Sequence, residues 1–207
     1  MKTTRRTLLS SAAALAVLVP AFAAAQDATI DVKELNVPQA NGEMEIGNKD
    51  AKVTIIEYAS ASCPHCRDFF ANVYVPLKKD YIDTGKVRFI FREFPHNDLG
   101  LAGFMVARCA PPEKYFPIVD VIFQTQDKWT ADPLNGLKEI AKQAGMTADA
   151  FDACLKNEKI AKGIIEAKER AEKVAKVTGI PTVFINGVKI EDRDYDSIKK
   201  KIDPLLG

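Results

Sequence analysis

The chain has 207 residues, of which 47% are hydrophobic and 28% are charged, and its formal net charge is +1 at pH 7. These values are ordinary for a globular protein, and the length suits one well-buried domain with room for a sizeable insertion. The sequence contains no basic stripe with interleaved aromatic residues, so nothing indicates a nucleic-acid partner.

The N-terminus has the pattern of a secretory signal peptide. Three basic residues within the first six positions precede a mainly apolar stretch over 8–19, and small residues follow at 23–25. The apolar stretch is shorter than the roughly 20 residues that a permanent membrane helix needs. We therefore predict a signal peptide over residues 1–25, cleaved near Ala25, so that the mature protein is exported and not embedded in the membrane. An uncleaved membrane anchor is the alternative, and both Sec and twin-arginine export remain open.

The first half of the mature chain predicts a strand, a helix and a second strand. Residues 26–50 are polar and irregular, and are expected to form a loose N-terminal leader. The dense β-branched run over 53–58 predicts a buried strand, and apolar residues then recur at helical spacing from Pro64 to Leu77. The run over 87–92 predicts the second strand. A strand, a helix and a strand at this spacing form a βαβ unit with a parallel pair.

The second half is predicted to begin with helices and to end with strands. Amphipathic helical patterns occupy residues 99–177. Two apolar runs, over 182–185 and 188–190, flank an Asn-Gly pair that is the strongest short signal for a hairpin, and a last amphipathic helix follows. The predicted fold class is therefore α/β. One domain over 51–207 has a helical insertion at about 99–177 between its β-α-β and β-β-α halves.

The segment Cys63-Pro64-His65-Cys66 carries the strongest functional signal. A Cys-x-x-Cys pair at a helix start favours a thiolate at the first cysteine, because unpaired N–H groups and the positive end of the helix dipole lie there. Pro64 suits the first helical position, and His65 is expected to supply a hydrogen bond or a positive charge to Cys63. A stabilised thiolate makes the disulfide a stronger oxidant. A zinc half-site and an inert structural disulfide are the alternatives.

Two motifs together carry a resemblance to a known family. The strand, Cys-x-x-Cys and helix are followed much later by Gly179-Ile180-Pro181-Thr182 ahead of another strand. This combination resembles the thioredoxin superfamily. The Pro-His dipeptide and the helical insertion are similar to its DsbA branch, the bacterial periplasmic disulfide-forming oxidases. The resemblance covers nearly all of residues 50–207.

The resemblance implies roles for three further residues. Pro181 matches a cis-proline that faces the redox pair, whereas the sequence alone shows an Ile-Pro bond, for which trans is the default. Ile180 matches a residue that helps to set substrate preference; DsbA-type oxidases more often carry valine there and thioredoxin-type reductases isoleucine. Glu57 matches a buried acid beneath the active site that can pass a proton to Cys66. An ordinary polar residue at a strand end is the alternative for Glu57.

The resemblance also implies a second disulfide, between Cys109 and Cys154, because some relatives, notably alphaproteobacterial oxidases, carry one in the helical block. We expect it to be structural. Closing a loop of this size contributes roughly 4 kcal/mol in the chain-entropy account. Two buried free thiols are the alternative, since spacing gives no geometric proof of a bridge.

Three functions are compatible with these features. The favoured one is an exported oxidase that passes the Cys63–Cys66 disulfide to unfolded or reduced exported proteins; the resemblance implies reoxidation by a DsbB-type, quinone-linked membrane oxidase. The second is a reductase or isomerase on the same fold, motivated by Ile180. The third is a copper- or metal-binding module that adds His65 or His96 to the thiols, although His96 is interpreted as an ordinary loop histidine. We expect no cofactor and no resident metal.

Overall fold

A mixed five-stranded sheet forms the centre of the computed structural model, which describes residue 30 and residues 32–207. The predicted signal peptide over 1–25 lies outside the described residues. The strands are β1 (Met44–Gly47), β2 (Val53–Ala59), β3 (Val87–Glu93), β4 (Thr182–Ile185) and β5 (Val188–Ile190). Their order across the sheet is β1-β3-β2-β4-β5. β2 and β3 are parallel, which confirms the predicted βαβ unit, and the other neighbouring pairs are antiparallel.

Ten α-helices accompany the sheet in the described part of the chain. They are α1 (Val32–Leu35), α2 (Pro64–Phe69), α3 (Val75–Leu77), α4 (Asp98–Cys109), α5 (Tyr115–Gln124), α6 (Gln126–Ala131), α7 (Pro133–Gln143), α8 (Ala148–Leu155), α9 (Glu158–Lys173) and α10 (Tyr195–Leu206). Two π-helical stretches, Phe70–Tyr74 and Lys78–Ile82, continue α2 and α3. Helices α4 to α9 lie between β3 and β4, where the insertion is predicted. The α/β class is therefore confirmed.

Apolar side chains cover both faces of the sheet. Successive residues of a strand point to opposite faces, and on β2 Ile55 belongs to the larger hydrophobic cluster, whereas Ile56 and Tyr58 belong to the smaller one. By the same alternation, Glu57 points towards the larger cluster. That cluster also contains aromatic side chains of the insertion, among them the fully buried Trp129. A carboxyl group is thus directed into the main apolar core.

The prediction of a loose leader over 26–50 is wrong for its last part. β1 pairs with β3 in the antiparallel direction and adds a strand to the sheet. Met44 and Ile46 pack against the larger cluster, and the carboxylate of Glu45 accepts a hydrogen bond of 2.7 Å from Arg88 Nε on β3. Four residues of mixed polarity carry too short a pattern to indicate a strand, and the partner that stabilises them lies about forty residues later in the sequence.

A buried ion pair attaches the insertion to the sheet. The guanidinium of Arg108 on α4 donates to the carboxylate of Glu93 at the end of β3, and their side chains are 3% and 0% exposed. The hydroxyl of Tyr115 donates to the same carboxylate at 2.7 Å. Arg108 also donates to the carbonyls of Asn41 and Gly42, at 2.9 and 3.0 Å. One cation therefore connects the insertion, the sheet and the segment before β1.

A disulfide joins Cys109 at the end of α4 to Cys154 on α8, with Cα atoms 5.9 Å apart. The alternative of two free thiols at these positions does not hold in this structure. None of the helices in the described ranges is long and apolar enough to cross a lipid bilayer.

Candidate redox site

Three segments of the chain meet at one edge of the sheet. β2 and β3 are parallel, so their carboxyl ends lie together, with Ala59 opposite Glu93. β4 is antiparallel to β2, so its first residue lies at the same edge, with Thr182 opposite Tyr58. The segment leading to the Cys-x-x-Cys motif, the loop after β3 and the Ile-Pro bond before β4 are therefore neighbours.

Cys63 is the N-cap of α2, as the sequence predicts. Its backbone is extended, with φ −85° and ψ 120°, and Pro64 follows in the first turn. The carbonyl of Cys63 accepts hydrogen bonds of 3.1 Å from the backbone N–H groups of Cys66 and Arg67. Both cysteines are free thiols, and they are 7% and 0% exposed. The helix start therefore places Cys63 at the protein surface side of the pair and Cys66 within the core.

The environment of Cys63 favours its thiolate and lowers its pKa from 9.0 to about 5. The largest cause is a hydrogen bond from the thiol of Cys66. The backbone N–H groups of Cys66 and His65 and the charge of His96 act in the same direction, whereas desolvation opposes them. At neutral pH Cys63 is therefore ionised, which is the form that attacks or leaves in thiol–disulfide exchange.

The pKa of Cys66 is shifted in the opposite direction, above its ordinary value. Burial is the largest cause, because the charged form loses its hydration in the core, and the hydrogen bond to Cys63 and the charges of Cys63 and Glu57 add to it. Cys66 is therefore a protonated thiol at neutral pH. Any reaction in which Cys66 attacks or leaves requires a proton to move at its sulfur atom.

Glu57 lies beneath the pair, on β2. It is 3% exposed, and burial raises its pKa to about 8. Its charge acts on the thiol of Cys66, so the two groups are electrostatically coupled. A carboxyl group with a pKa near neutrality can both donate and accept a proton under the same conditions.

The two histidines contribute to the site in different ways. His65 is exposed, and its contribution to the lowered pKa of Cys63 comes from its backbone N–H. The histidine whose charge lowers that pKa is His96, in the loop after β3. Its Nδ1 atom lies 2.9 Å from the hydroxyl oxygen of Ser60, just before the motif. His96 is a loop histidine, as interpreted from the sequence, but its effect on Cys63 was not foreseen; only the parallel pairing of β2 and β3 could have indicated its position.

Gln126 is a second residue that the sequence analysis did not single out. It lies on α6 in the insertion and is 2% exposed. Its Nε2 atom donates to the carbonyls of Ala61 and Cys63, at 2.8 and 3.0 Å. The insertion thus holds the backbone of the N-cap residue in place, and no local pattern in the sequence signals this contact.

The loop before β4 faces this edge of the sheet with a cis peptide bond between Ile180 and Pro181. Pro181 is buried, and Ile180 is half-buried and packs against the cluster that contains both thiols. The guanidinium of Arg193 donates to the carbonyl of Pro181, and the hydroxyl of Thr182 donates to the carbonyl of Gly179 at 2.7 Å. Within the described residues, no three His, Cys, Asp or Glu side chains are grouped so that they could hold a metal ion.

Comparison with known proteins agrees with this geometry. A family model described as Thioredoxin matches residues 39–204. A relative from Rickettsia bellii, named as a protein-disulfide oxidoreductase, is 33% identical over 196 residues, which are 92% of this chain and 76% of the relative. A relative from Bacillus anthracis, named as a disulfide bond formation protein D, is 33% identical over 174 residues, which are 79% of this chain and 78% of that protein.

A solved structure gives the same assignment. The crystal structure of alpha-DsbA1 from Wolbachia pipientis superposes with a TM-score of 0.78 at 33% identity, over 86% of this chain and 96% of that one. The chain therefore belongs to the thioredoxin family, among its DsbA-like members. It is a thiol–disulfide oxidoreductase, and the resemblance inferred from the sequence is confirmed.

Proposed function

We propose that this protein is an exported oxidase that donates the Cys63–Cys66 disulfide to folding exported proteins. The observation that carries the proposal is the opposite shift of the two thiol pKa values, downwards to about 5 for Cys63 and upwards for Cys66. Stabilising one cysteine as a thiolate favours the reduced protein, so its disulfide is readily given away.

The reaction transfers two electrons from the client to the protein in two exchanges. A client thiolate attacks Cys63 Sγ, the Cys63–Cys66 bond breaks, and Cys66 leaves as a thiolate that takes the proton of the Glu57 carboxyl group. A second client thiolate then attacks the client sulfur of the mixed disulfide, and Cys63 leaves as its stable thiolate. The client gains a disulfide, and the protein is left with two reduced cysteines.

The neighbouring residues have positioning roles in this proposal. Pro64 starts the helix that presents Cys63, and His65 supports the thiolate through its backbone N–H. Pro181 and Ile180 form the wall next to the pair, where an extended client segment binds. The Cys109–Cys154 disulfide is structural, because it joins two helices of the insertion and takes no part in the exchange.

Location and partners complete the proposal. Residues 1–25 direct export and are removed near Ala25, residues 26–50 precede the main body of the domain over 51–207, and the mature protein works in the periplasm. A DsbB-type, quinone-linked membrane oxidase reoxidises the reduced cysteines. Clients are unfolded or reduced exported proteins.

A redox titration against glutathione tests the direction of the reaction. We expect a reduction potential near the value of about −120 mV that characterises strong disulfide donors. A potential near the value of about −270 mV that characterises thioredoxin would show that the protein is a reductant instead. A Cys66→Ala variant traps mixed disulfides and identifies clients; the matched Cys63→Ala variant should trap none, because Cys66 is buried.

A reductase or isomerase is the second candidate, and Ile180 is the observation that favours it. Ile180 contacts the cluster that contains both thiols, so its shape bears on the site directly. The Ile180→Val variant separates the two functions. If the protein is a reductase, the variant should have a higher reduction potential than the wild type and should reduce insulin disulfides more slowly. If the protein is an oxidase, the wild type itself should reduce insulin slowly. Failure to refold a substrate with scrambled disulfides would exclude the isomerase function.

A further inference from the structure

Two buried polar atoms without hydrogen-bond partners lie on the core side of the redox pair. In the described part of the chain, three buried side-chain atoms lack a partner, namely Gln39 Nε2, the hydroxyl of Tyr74 and Oδ1 of Asp120. Nearly all buried polar groups in proteins are paired, so each exception requires an explanation. The charges of Asp120 and of Glu57 both act on Tyr74.

A small cavity connects Glu57 to the hydroxyl-bearing side chain of Tyr74. Both residues line it, and its volume of about 10 Å³ is room for one water molecule. The rest of its wall is apolar and consists of Phe70, Phe91, Phe116, Val119 and Phe123. A water molecule there would find its hydrogen-bond partners in the Glu57 carboxyl group and the Tyr74 hydroxyl, because the remaining lining residues offer none.

Asp120 continues this line of polar groups to the surface. It lies on α5, one helical turn after Phe116, and both residues also line an open groove of about 650 Å³. Phe116 also lines the cavity that Glu57 and Tyr74 share, so the cavity and the groove are adjacent, and the charge of Asp120 acts on Tyr74.

We propose that Tyr74 and Asp120 form the route by which protons pass between Glu57 and solvent. The inference rests on the proposed role of Glu57 as the proton partner of Cys66. Glu57 is 3% exposed. After it has given its proton to Cys66, it therefore cannot take a new proton directly from solvent and needs a path through other groups. The groove, the unpartnered hydroxyl and the cavity supply that path.

The proton balance of the route is simple. When Glu57 has protonated the leaving Cys66 thiolate, the Asp120 carboxylate first takes a proton from solvent. The Tyr74 hydroxyl then donates its own proton through the cavity to the Glu57 carboxylate and receives, through water, the proton held by Asp120. Asp120 returns to its carboxylate form, the net change is one proton moved from solvent to Glu57, and every step reverses when Cys66 is deprotonated for reoxidation. Burial raises the pKa of Tyr74, so this residue remains neutral and acts by exchanging its proton.

The charges around the route are suited to this direction of transfer. Burial raises the pKa of Asp120 to about 6, below the value of about 8 at Glu57, so near neutral pH Asp120 is ionised while Glu57 holds the proton. Lys78 lowers the pKa of Asp120 and Asp83 raises it. The other titratable side chains that line the groove are Glu43, Glu45, Lys49 and Glu113. The Cys66 thiol is the titratable group that faces Glu57 from α2.

Single-turnover kinetics test the route through Tyr74→Phe and Asp120→Asn. The reduced protein is mixed with excess oxidised glutathione. Formation of the mixed disulfide at Cys63 releases the first glutathione and is followed by loss of thiolate absorbance, and resolution by Cys66 is followed by release of the second glutathione. General acid–base assistance contributes roughly 100-fold or more, so losing its supply route should slow resolution about 10-fold. Formation of the mixed disulfide and the equilibrium potential should remain unchanged, because neither variant alters the two sulfur atoms.

Two controls distinguish a slower resolving step from an effect of the substitution on folding. Tyr74→Phe removes a hydroxyl that has no partner among the protein's own groups, so the variant should unfold at about the same denaturant concentration or a higher one. Tyr81→Phe is the matched control, since its hydroxyl donates to Asp203 at 2.6 Å, away from the route, and should leave both steps unchanged.

The Glu57→Gln background decides whether Tyr74 acts through Glu57. Tyr74→Phe should cause no further slowing in that background. An unchanged resolving step in both single variants, or additive slowing in the double variant, would overturn the route. A thioredoxin-like potential would refute the proposed oxidase, but would leave this kinetic comparison intact, because Cys66 exchanges a proton in either direction of reaction.

Discussion

The lowered pKa of Cys63 predicts that acidification destabilises the reduced protein through this one thiol. In the unfolded chain the thiol has its ordinary pKa of 9.0, and in the folded protein it titrates at about 5. A lowered pKa contributes stability that is fully present above the unfolded value and is lost as the pH falls through the folded value. The oxidised protein has no thiol at Cys63, so this effect belongs to the reduced form.

The magnitude at neutral pH follows from the interval between the folded pKa and pH 7. Two pH units at 1.36 kcal/mol each correspond to about 2.7 kcal/mol of stability for the reduced protein at pH 7, and almost none remains at about pH 4. Cys66 does not contribute over this range, because its raised pKa keeps it protonated in both states. The same free energy corresponds to roughly 60 mV in the reduction potential.

Urea unfolding of the reduced protein at about pH 7 and about pH 4 measures this effect. The matched variant is Cys63→Ser, which has a similar shape and does not titrate, so the other acidic groups cancel in the comparison. The wild-type protein should lose about 3 kcal/mol more than the variant between the two pH values. Equal losses in both proteins, or thiolate absorbance with a midpoint near pH 9, would refute the reasoning.

Three further changes have defined expectations. Glu57→Gln removes a carboxyl group whose burial raises its pKa to about 8, and a raised acidic pKa costs stability once the pH exceeds the unfolded value of 4.5. The variant should therefore gain a few kcal/mol at about pH 8 and nothing at about pH 4 in denaturant titrations. Arg108→Met leaves the carboxylate of Glu93 buried without its cation, and should lower the free energy of unfolding by about 3–5 kcal/mol. Adding Glu93→Gln should restore part of this stability, and a double variant as unstable as Arg108→Met alone would contradict this cause. Replacing Cys109 and Cys154 by alanine opens a loop of 45 residues and should cost about 4 kcal/mol without moving the Cys63 pKa, whereas a moved pKa would give the bridge a redox role.

Local patterns were sufficient for the elements that carry the reactive pair. The β-branched run of β2, the proline at the first turn of α2 and the Asn-Gly turn between β4 and β5 act through their own backbone conformations, so each could be recognised without a partner. The short strand β1 could not, because four residues of mixed polarity become a strand only when β3 supplies the hydrogen bonds.

The supporting groups of the site depended on which segments meet in space. His96 and Gln126 are separated from Cys63 by 33 and 63 residues, and nothing in their local sequence distinguishes them from ordinary loop and helix residues. They reach the site because β2 and β3 are parallel and because α6 packs behind the N-cap. His65 supplies a hydrogen bond to the thiolate through its backbone N–H, while its side chain is exposed, and the sequence did not distinguish these two parts of the residue.

The sequence by itself determined the chemistry of this protein, because two cysteines three positions apart at a helix start lie on one turn whatever surrounds them. The tertiary structure decided how that chemistry is tuned. Hydrogen bonds lower the pKa of Cys63 while burial raises that of Cys66, the parallel pairing of β2 and β3 brings His96 to the thiolate, and core packing places Glu57 and Tyr74 on one cavity. Electrostatic energies depend on distance and desolvation, and these become defined only when segments distant in sequence are packed together.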